Sequence, residues 1–154
     1  MSTRKLNNKG VTLLELVVVF VIIAILALLM APNIGTWLPN YRLRGATRDI
    51  VSTMRTAQMR AVSNNVQYRV NFNAADVGAN KYALQFDPGG GFVNDGAIQT
   101  LPAGITIIAN LFPNGRAVFN RDSTSSGGSI TLQNTKGSTR LITLTTVTGR
   151  VSIN

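Results

Sequence analysis

Glu15 is a carboxylate set inside an apolar run, and its type and position point to chemistry more strongly than any other residue in the chain. From Leu16 to Ala31 there is no charged or strongly polar side chain, and Thr12 and Glu15 are the only polar interruptions between Val11 and Pro32. A helix over this run, at roughly 1.5 Å per residue, is about 30 Å long and reaches across the hydrocarbon core of a bilayer. An unpaired carboxylate one turn inside such a segment costs on the order of a few kcal/mol, so it calls for a partner that neutralises it. Arg4, Lys5 and Lys9 lie just ahead of the run, followed by Gly10. A basic flank before an apolar helix keeps that end in the cytoplasm. A cleaved secretory signal peptide fits poorly, because the run is too long, carries a glutamate, and ends at Ala27 to Pro32 with a poor small-x-small site. A plain single-span anchor leaves Glu15 unexplained.

Elsewhere the residues argue against catalysis. The chain has no histidine and no cysteine, which removes imidazole bases, Ser-His-Asp triads, thiolate metal sites and disulfides together. The other acidic residues, Asp49, Asp76, Asp87, Asp95 and Asp122, are scattered, without the spacing of a calcium loop. Asp87-Pro88-Gly89-Gly90-Gly91 reads as a turn, since no lysine-serine pair or apolar helix follows to make it a phosphate loop. Arg121-Asp122 reads as a local ion pair at a turn. The expectation is a protein that is not an enzyme and holds no cofactor or metal. Net charge is +9; three of the fifteen basic residues precede Gly10, leaving twelve against six acidic, or +6. That balance favours anionic partners such as nucleic acid or lipid headgroups without choosing among them.

The elements that must position Glu15 follow from two periodicities. With 154 residues there is room for one modest domain beside the apolar helix. Pro32 and Pro39 punctuate the helix without having to end it, and Trp37 lies near the membrane exit. From about residue 40 to 64 the pattern is amphipathic: Leu43, Ile50 and Ala57 recur at seven residues with Met54 and Ala61 between them, while Arg42, Arg44, Arg48, Arg55 and Arg60 fall mostly off that seam. After Asn64-Asn65 the period becomes two. Strands are expected over Val66 to Phe72, around Tyr82 to Phe86, and over Ile105 to Ala109, Arg116 to Asn120, Ser129 to Gln133, Thr139 to Val147 and Arg150 to Ile153, with Asn73 to Asn80 a connection. The fold class is therefore α+β: a long N-terminal helix whose polar half packs on a C-terminal antiparallel β-domain and covers one face of its sheet.

Lys9-Gly10-Val11-Thr12-Leu13-Leu14-Glu15 resembles the processing site of type IV prepilins and type II secretion pseudopilins. The resemblance extends through Pro113-Asn114-Gly115-Arg116, Phe119-Asn120-Arg121-Asp122 and the terminal Gly149-Arg150-Val151 to the H-type pseudopilins and the FimT-like minor pilins. It implies a pilin-like fold, with 1–10 a basic leader, 11–64 the N-terminal helix (membrane span about 11–31, amphipathic part about 40–64) and 65–154 a periplasmic β-rich domain. It implies that a prepilin peptidase cuts after Gly10 and methylates Val11, although phenylalanine is commonest where Val11 stands. Glu15 then sits five residues into the mature chain, where its pairing with an N-terminal amine serves assembly. The partners implied are the peptidase, other pilins or pseudopilins in a filament, and the bacterial inner membrane, crossed once with the N-terminus cytoplasmic and the β-domain periplasmic. The function implied is that of a low-abundance subunit at or near the tip of a type II secretion pseudopilus or type IV pilus. The alternative is a minor pilin that binds DNA during natural transformation. For that role Lys136, Arg140 and Arg150 are the candidates, since they could converge on one sheet edge; Gly149-Arg150 matches the Gly-Arg-x-Arg motif of such proteins, but Ser152 replaces its second arginine.

Overall fold

The computed structural model describes residues 11–30 and 34–154, which divide into two compact units at Gly35. The expected leader, Gly10 and Pro32 lie outside the described residues.

In the first unit, α1 spans Leu13–Met30. Thr12 starts it: the Thr12 hydroxyl accepts the Glu15 backbone N–H at 3.3 Å, and its carbonyl accepts the Leu16 N–H at 3.2 Å. Thr12 and Glu15 thus occupy the N-cap and third positions, the spacing of a capping box, in which each residue helps satisfy the free donors of the first turn. The body of α1 is rich in β-branched valine and isoleucine, poor helix formers in water. Valines and leucines all around it stand about half exposed. A helix apolar on every side is stable where other helices or lipid surround it, because its backbone bonds are satisfied internally. Its 18 residues rise about 27 Å, just short of the roughly 30 Å hydrocarbon core, and among the described residues no helix is long and apolar enough to cross a membrane.

The helix α2 spans Ile34–Ser63, all but its first two residues in the second unit, and continues through Pro39. Trp37 and Tyr41, one turn apart and both exposed, stack with ring centroids 5.3 Å apart. The expected seam is the buried face: Leu43, Ile50, Met54, Ala57 and Ala61 are buried, joined by Ala46 and Val51. Thr47 also lies on that face, and its hydroxyl donates to the Leu43 carbonyl at 2.7 Å, so no polar group there is left unmet. Alanines at 46, 57 and 61 let the helix axis approach closely.

What it packs on is two antiparallel sheets. The first contains β1 (Tyr68–Asn71), β2 (Lys81–Phe86), the two-residue strands β3 (Val93–Asn94) and β4 (Gln99–Thr100), and β6 (Arg116–Phe119), in the order β3-β2-β1-β6 with β4 also on β2. The second has the order β5-β7-β8-β9, from Ile105–Asn110, Gly128–Asn134, Thr139–Leu144 and Val151–Ile153. Tyr68, Val70 and Phe72 alternate inward from β1, with Phe119, Ile130, Leu132, Ile142 and Leu144 completing the core. Phe72 lies between Tyr82 and Phe112, each 5.8 Å away centroid to centroid. Fully burying each such side chain contributes on the order of 1.5–3 kcal/mol, which is how a domain without disulfides holds together.

Three local expectations are corrected. The 73–80 connection contains a one-turn helix, α3 (Ala74–Val77), because the Asn73 side chain caps it by accepting the Ala75 N–H at 3.0 Å. The strand expected to run to Val147 ends at Leu144, since Thr145 starts a turn closed by the Gly149 N–H on its carbonyl at 2.9 Å. Arg121 and Asp122 form no ion pair; the Asp122 carboxylate instead accepts the Thr124 hydroxyl at 2.7 Å and its N–H at 3.0 Å. An aspartate satisfied by its own turn gains little from a neighbouring exposed arginine.

Candidate assembly and binding sites

Glu15 lies in the first turn of α1 with its side chain exposed, and neither of the two ion pairs among the described residues involves it. Val11 precedes the helix and is exposed too. They are four residues apart, and α1 begins between them at Leu13. The arrangement therefore offers a carboxylate with no ion partner among the described residues, just after a non-helical segment, at the end of an apolar rod.

The C-terminal cations are not brought together. Lys136 sits in the turn between β7 and β8, and Arg140 follows at the start of β8, opposite Leu132. Arg150 is at the other end, its carbonyl accepting the Thr145 N–H at 3.0 Å. Five strand residues separate Arg140 from Thr145, roughly 17 Å. Alternation also sets them on opposite faces: Arg140 shares the parity of buried Ile142 and Leu144, whereas Arg150 pairs with the outward Thr145. Arg150 instead shares a groove with α2. With Val151, Ser152 and Ile153 it lines a groove of about 580 Å3 whose other wall is Arg55 and Gln58.

The outer face of the first sheet holds a polar network that no reading of the sequence anticipated. Arg69 Nε donates to Gln85 Oε1 at 2.7 Å, and the Gln85 amide donates to Asn94 Oδ1 at 2.8 Å. Asn71, fully buried, donates to Asp76 at 2.9 Å, and Arg116 reaches the same carboxylate oxygen at 2.6 Å. Arg116 first, then Asn71, holds the Asp76 carboxyl below the usual carboxylate range. Burial, and then the nearby Arg116 charge, lowers the affinity of Arg69 for its proton, and its guanidinium lies 3.7 Å from the centroid of Phe92. The network joins β1, β2, β3, β6 and α3, so its work is to fasten the sheet's outer layer. The signal that could have found it is the cross-strand register Arg69↔Gln85, which a sequence does not print.

A larger groove, about 800 Å3, runs past Asn65, Gln67, Asp87, Asn120 and Asp122. Both carboxylates are already engaged: Asp87 accepts the Gly89 and Gly91 N–H groups, which lower its pKa, and the Thr124 hydroxyl does the same for Asp122. Among the described residues no cluster of acids could hold a metal ion.

Two protein families match the chain. One, described as a prokaryotic N-terminal methylation motif, covers residues 5–31, and the other, described as type II transport protein GspH, covers residues 46–149. No curated protein matches in sequence. Among solved structures, the minor pseudopilin EpsH from the type 2 secretion system of Vibrio cholerae aligns with a TM-score of 0.59 at 7% identity, over 73% of this chain and 96% of that one. At that identity the likeness is one of fold.

Proposed function

We propose, for a chain that belongs to the type II transport protein GspH family, a subunit's place in the pseudopilus of a type II secretion system, held there by its N-terminal helix. The observation that carries this reading is α1 itself: an apolar rod exposed on every side, headed by one carboxylate, in a chain whose remaining residues 36–154 have a core of their own. Such a rod is stable in lipid or in a bundle of its equals, and the folded unit needs neither. The N-terminal methylation motif over residues 5–31 supports processing after Gly10 and methylation of Val11. The uninterrupted run of apolar sequence toward Ala31 supports a single crossing of the inner membrane, with residues 65–154 in the periplasm.

Glu15 then has a role that follows from charge. Cleavage gives Val11 a cationic amine. Two unit charges about 4 Å apart attract by roughly 4 kcal/mol at an effective dielectric near 20, enough to offset the cost of placing a carboxylate in the apolar layer. Pairing with a neighbouring subunit's amine sets how far each new helix slides into the bundle. The DNA-binding alternative is not favoured: phosphate-driven affinity needs several cations together, and Lys136, Arg140 and Arg150 do not converge. The test is deletion of the gene, followed by assay of secreted enzymes and of DNA uptake. Secretion should fail and return with the wild-type chain. Intact secretion with lost DNA uptake would overturn the proposal.

A further inference from the structure

Edges of sheets invite other strands, and this fold covers two of its own, at β5 and β6. On β5 the Ile107 N–H is met by the Asn80 side chain at 3.1 Å, and the register shifts between Ile107 and Ala109. The outer edge of β6 is met by Ser126, whose hydroxyl accepts the Val118 N–H at 3.1 Å and whose own N–H donates to the Val118 carbonyl at 2.9 Å. The β9 edge has no such cover. Leu141 and Asn154 exchange both backbone bonds, and the Thr145 N–H donates to Arg150. Antiparallel alternation therefore turns Arg150, Ser152 and Asn154 toward β8, and the backbone groups of Val151 and Ile153 away from it. No described residue bonds them.

That open edge faces a groove rather than bulk solvent. Arg55 and Gln58 of α2 form its far wall, at about 580 Å3. At one end the turn that leads into β9 is tied to α2: Gln58 Nε2 donates to the Thr148 carbonyl at 3.1 Å. Its charge has one sign. Arg55 and Arg150 line it, no acidic residue does, and neither arginine belongs to an ion pair among the described residues. Both arginines are exposed, and they flank a channel with hydrogen-bonding groups along one side, so the charge that repels an ordinary strand complements an acidic one.

We propose that the α2–β9 groove is a docking site for an extended acidic segment of another subunit, which adds as a strand to β9 and places its carboxylates on Arg55 and Arg150. The occupant is not a second copy of this chain. Antiparallel pairing of two β9 strands about Ser152 would set Arg150 against Asn154 and offer neither arginine a carboxylate, and none of the chain's six acidic residues lies within a strand. The surface thus takes a different protein, which suits a subunit that enters an assembly once and does not polymerise with itself. The identity of the occupant as a fellow subunit rests on the function proposed above; the strand-addition chemistry does not.

The test uses the full chain in detergent micelles, with a decapeptide alternating valine and glutamate as probe, and reads amide hydrogen exchange at Val151 and Ile153. The acidic peptide should slow exchange at both, and a decapeptide alternating valine and lysine should not. Ile153→Pro removes an outward N–H while leaving the β8 bonds of Ser152 and Asn154, so it should weaken the protection read at Val151, and Ile153→Ala, which loses the side chain but keeps the N–H, should not. Arg55→Glu and Arg150→Glu should each weaken binding roughly tenfold, about the loss of one favourable charged contact. No protection by the acidic peptide, equal protection by the lysine peptide, or binding untouched by Ile153→Pro would overturn the proposal. Duplex DNA that protects the groove in place of the acidic peptide would overturn it too, in favour of phosphate binding. An intact-mass spectrum of the same sample reports the N-terminus, so failure here is separable from failure of the subunit reading.

Discussion

Gly149→Ala isolates the packing of the β8–β9 turn on α2. Gly149 has φ +60°, and a Cβ there would lie 2.8 Å from the Ser123 carbonyl and against the Gln58 side-chain amide. An alanine in the left-handed region costs about 1–2 kcal/mol. Gln58 can swing aside only by giving up its bond to Thr148, and the Ser123 backbone has to shift, an overpacking that adds about 1–3 kcal/mol. Gly137 supplies the control: its φ is +81°, and nothing lies within 4 Å of its Cβ position. Gly137→Ala therefore carries the conformational cost alone. In a domain the size of residues 36–154, 1 kcal/mol moves the melting temperature by about 3–6 °C. Thermal unfolding by circular dichroism should show Gly149→Ala melting at least about 3 °C below Gly137→Ala, the lower end of the overpacking cost. Equal melting temperatures would refute the claim that the turn is pressed against α2.

Other outcomes follow from the same geometry. Asp76 is held below the ordinary carboxylate range by Arg116, so its contribution to stability is present above its unfolded pKa and is lost as pH falls through the lower folded value. Chemical denaturation should therefore show a loss of stability on acidification below about pH 4 that Arg116→Met reduces; an unchanged pH profile in that variant would deny the pair its role. Ala57→Leu puts three extra carbons into a fully buried helix–sheet contact and should cost about 1–3 kcal/mol or more, whereas Ala75→Leu on exposed α3 should stay within about 0.5 kcal/mol. Glu15→Val should insert and be processed but cross-link poorly to partner subunits; undiminished cross-linking would remove the assembly role.

What could be read from the sequence was what repeats. The seven-residue recurrence of Leu43, Ile50 and Ala57 marked the buried face of α2, and alternation at Tyr68, Val70 and Phe72 marked β1. Both signals exist because burial selects side chains at the period of the backbone. The strands β3 and β4, two residues each, are too short to alternate, and α3 depends on a single cap from Asn73. The network around Asp76 was hidden because it joins residues 69, 71, 85 and 116 through strand register. The basic C-terminal residues misled for a related reason. Nearness in sequence suggested a cluster, but a β-hairpin sends Arg140 and Arg150 to opposite ends and faces, and it is Arg55, far away in sequence, that shares a groove with Arg150.

The N-terminus tests the central claim most directly. The assembly role proposed for Glu15 requires that Gly10 be cut, so that Val11 carries the amine that Glu15 attracts. Mass spectrometry of protein extracted from the membranes of cells with an active prepilin peptidase should find a chain beginning at Val11 and carrying one methyl group, and Gly10→Phe should leave only the precursor. A chain that keeps Met1 or Ser2 in those cells, or that begins near Ala31, would contradict the account.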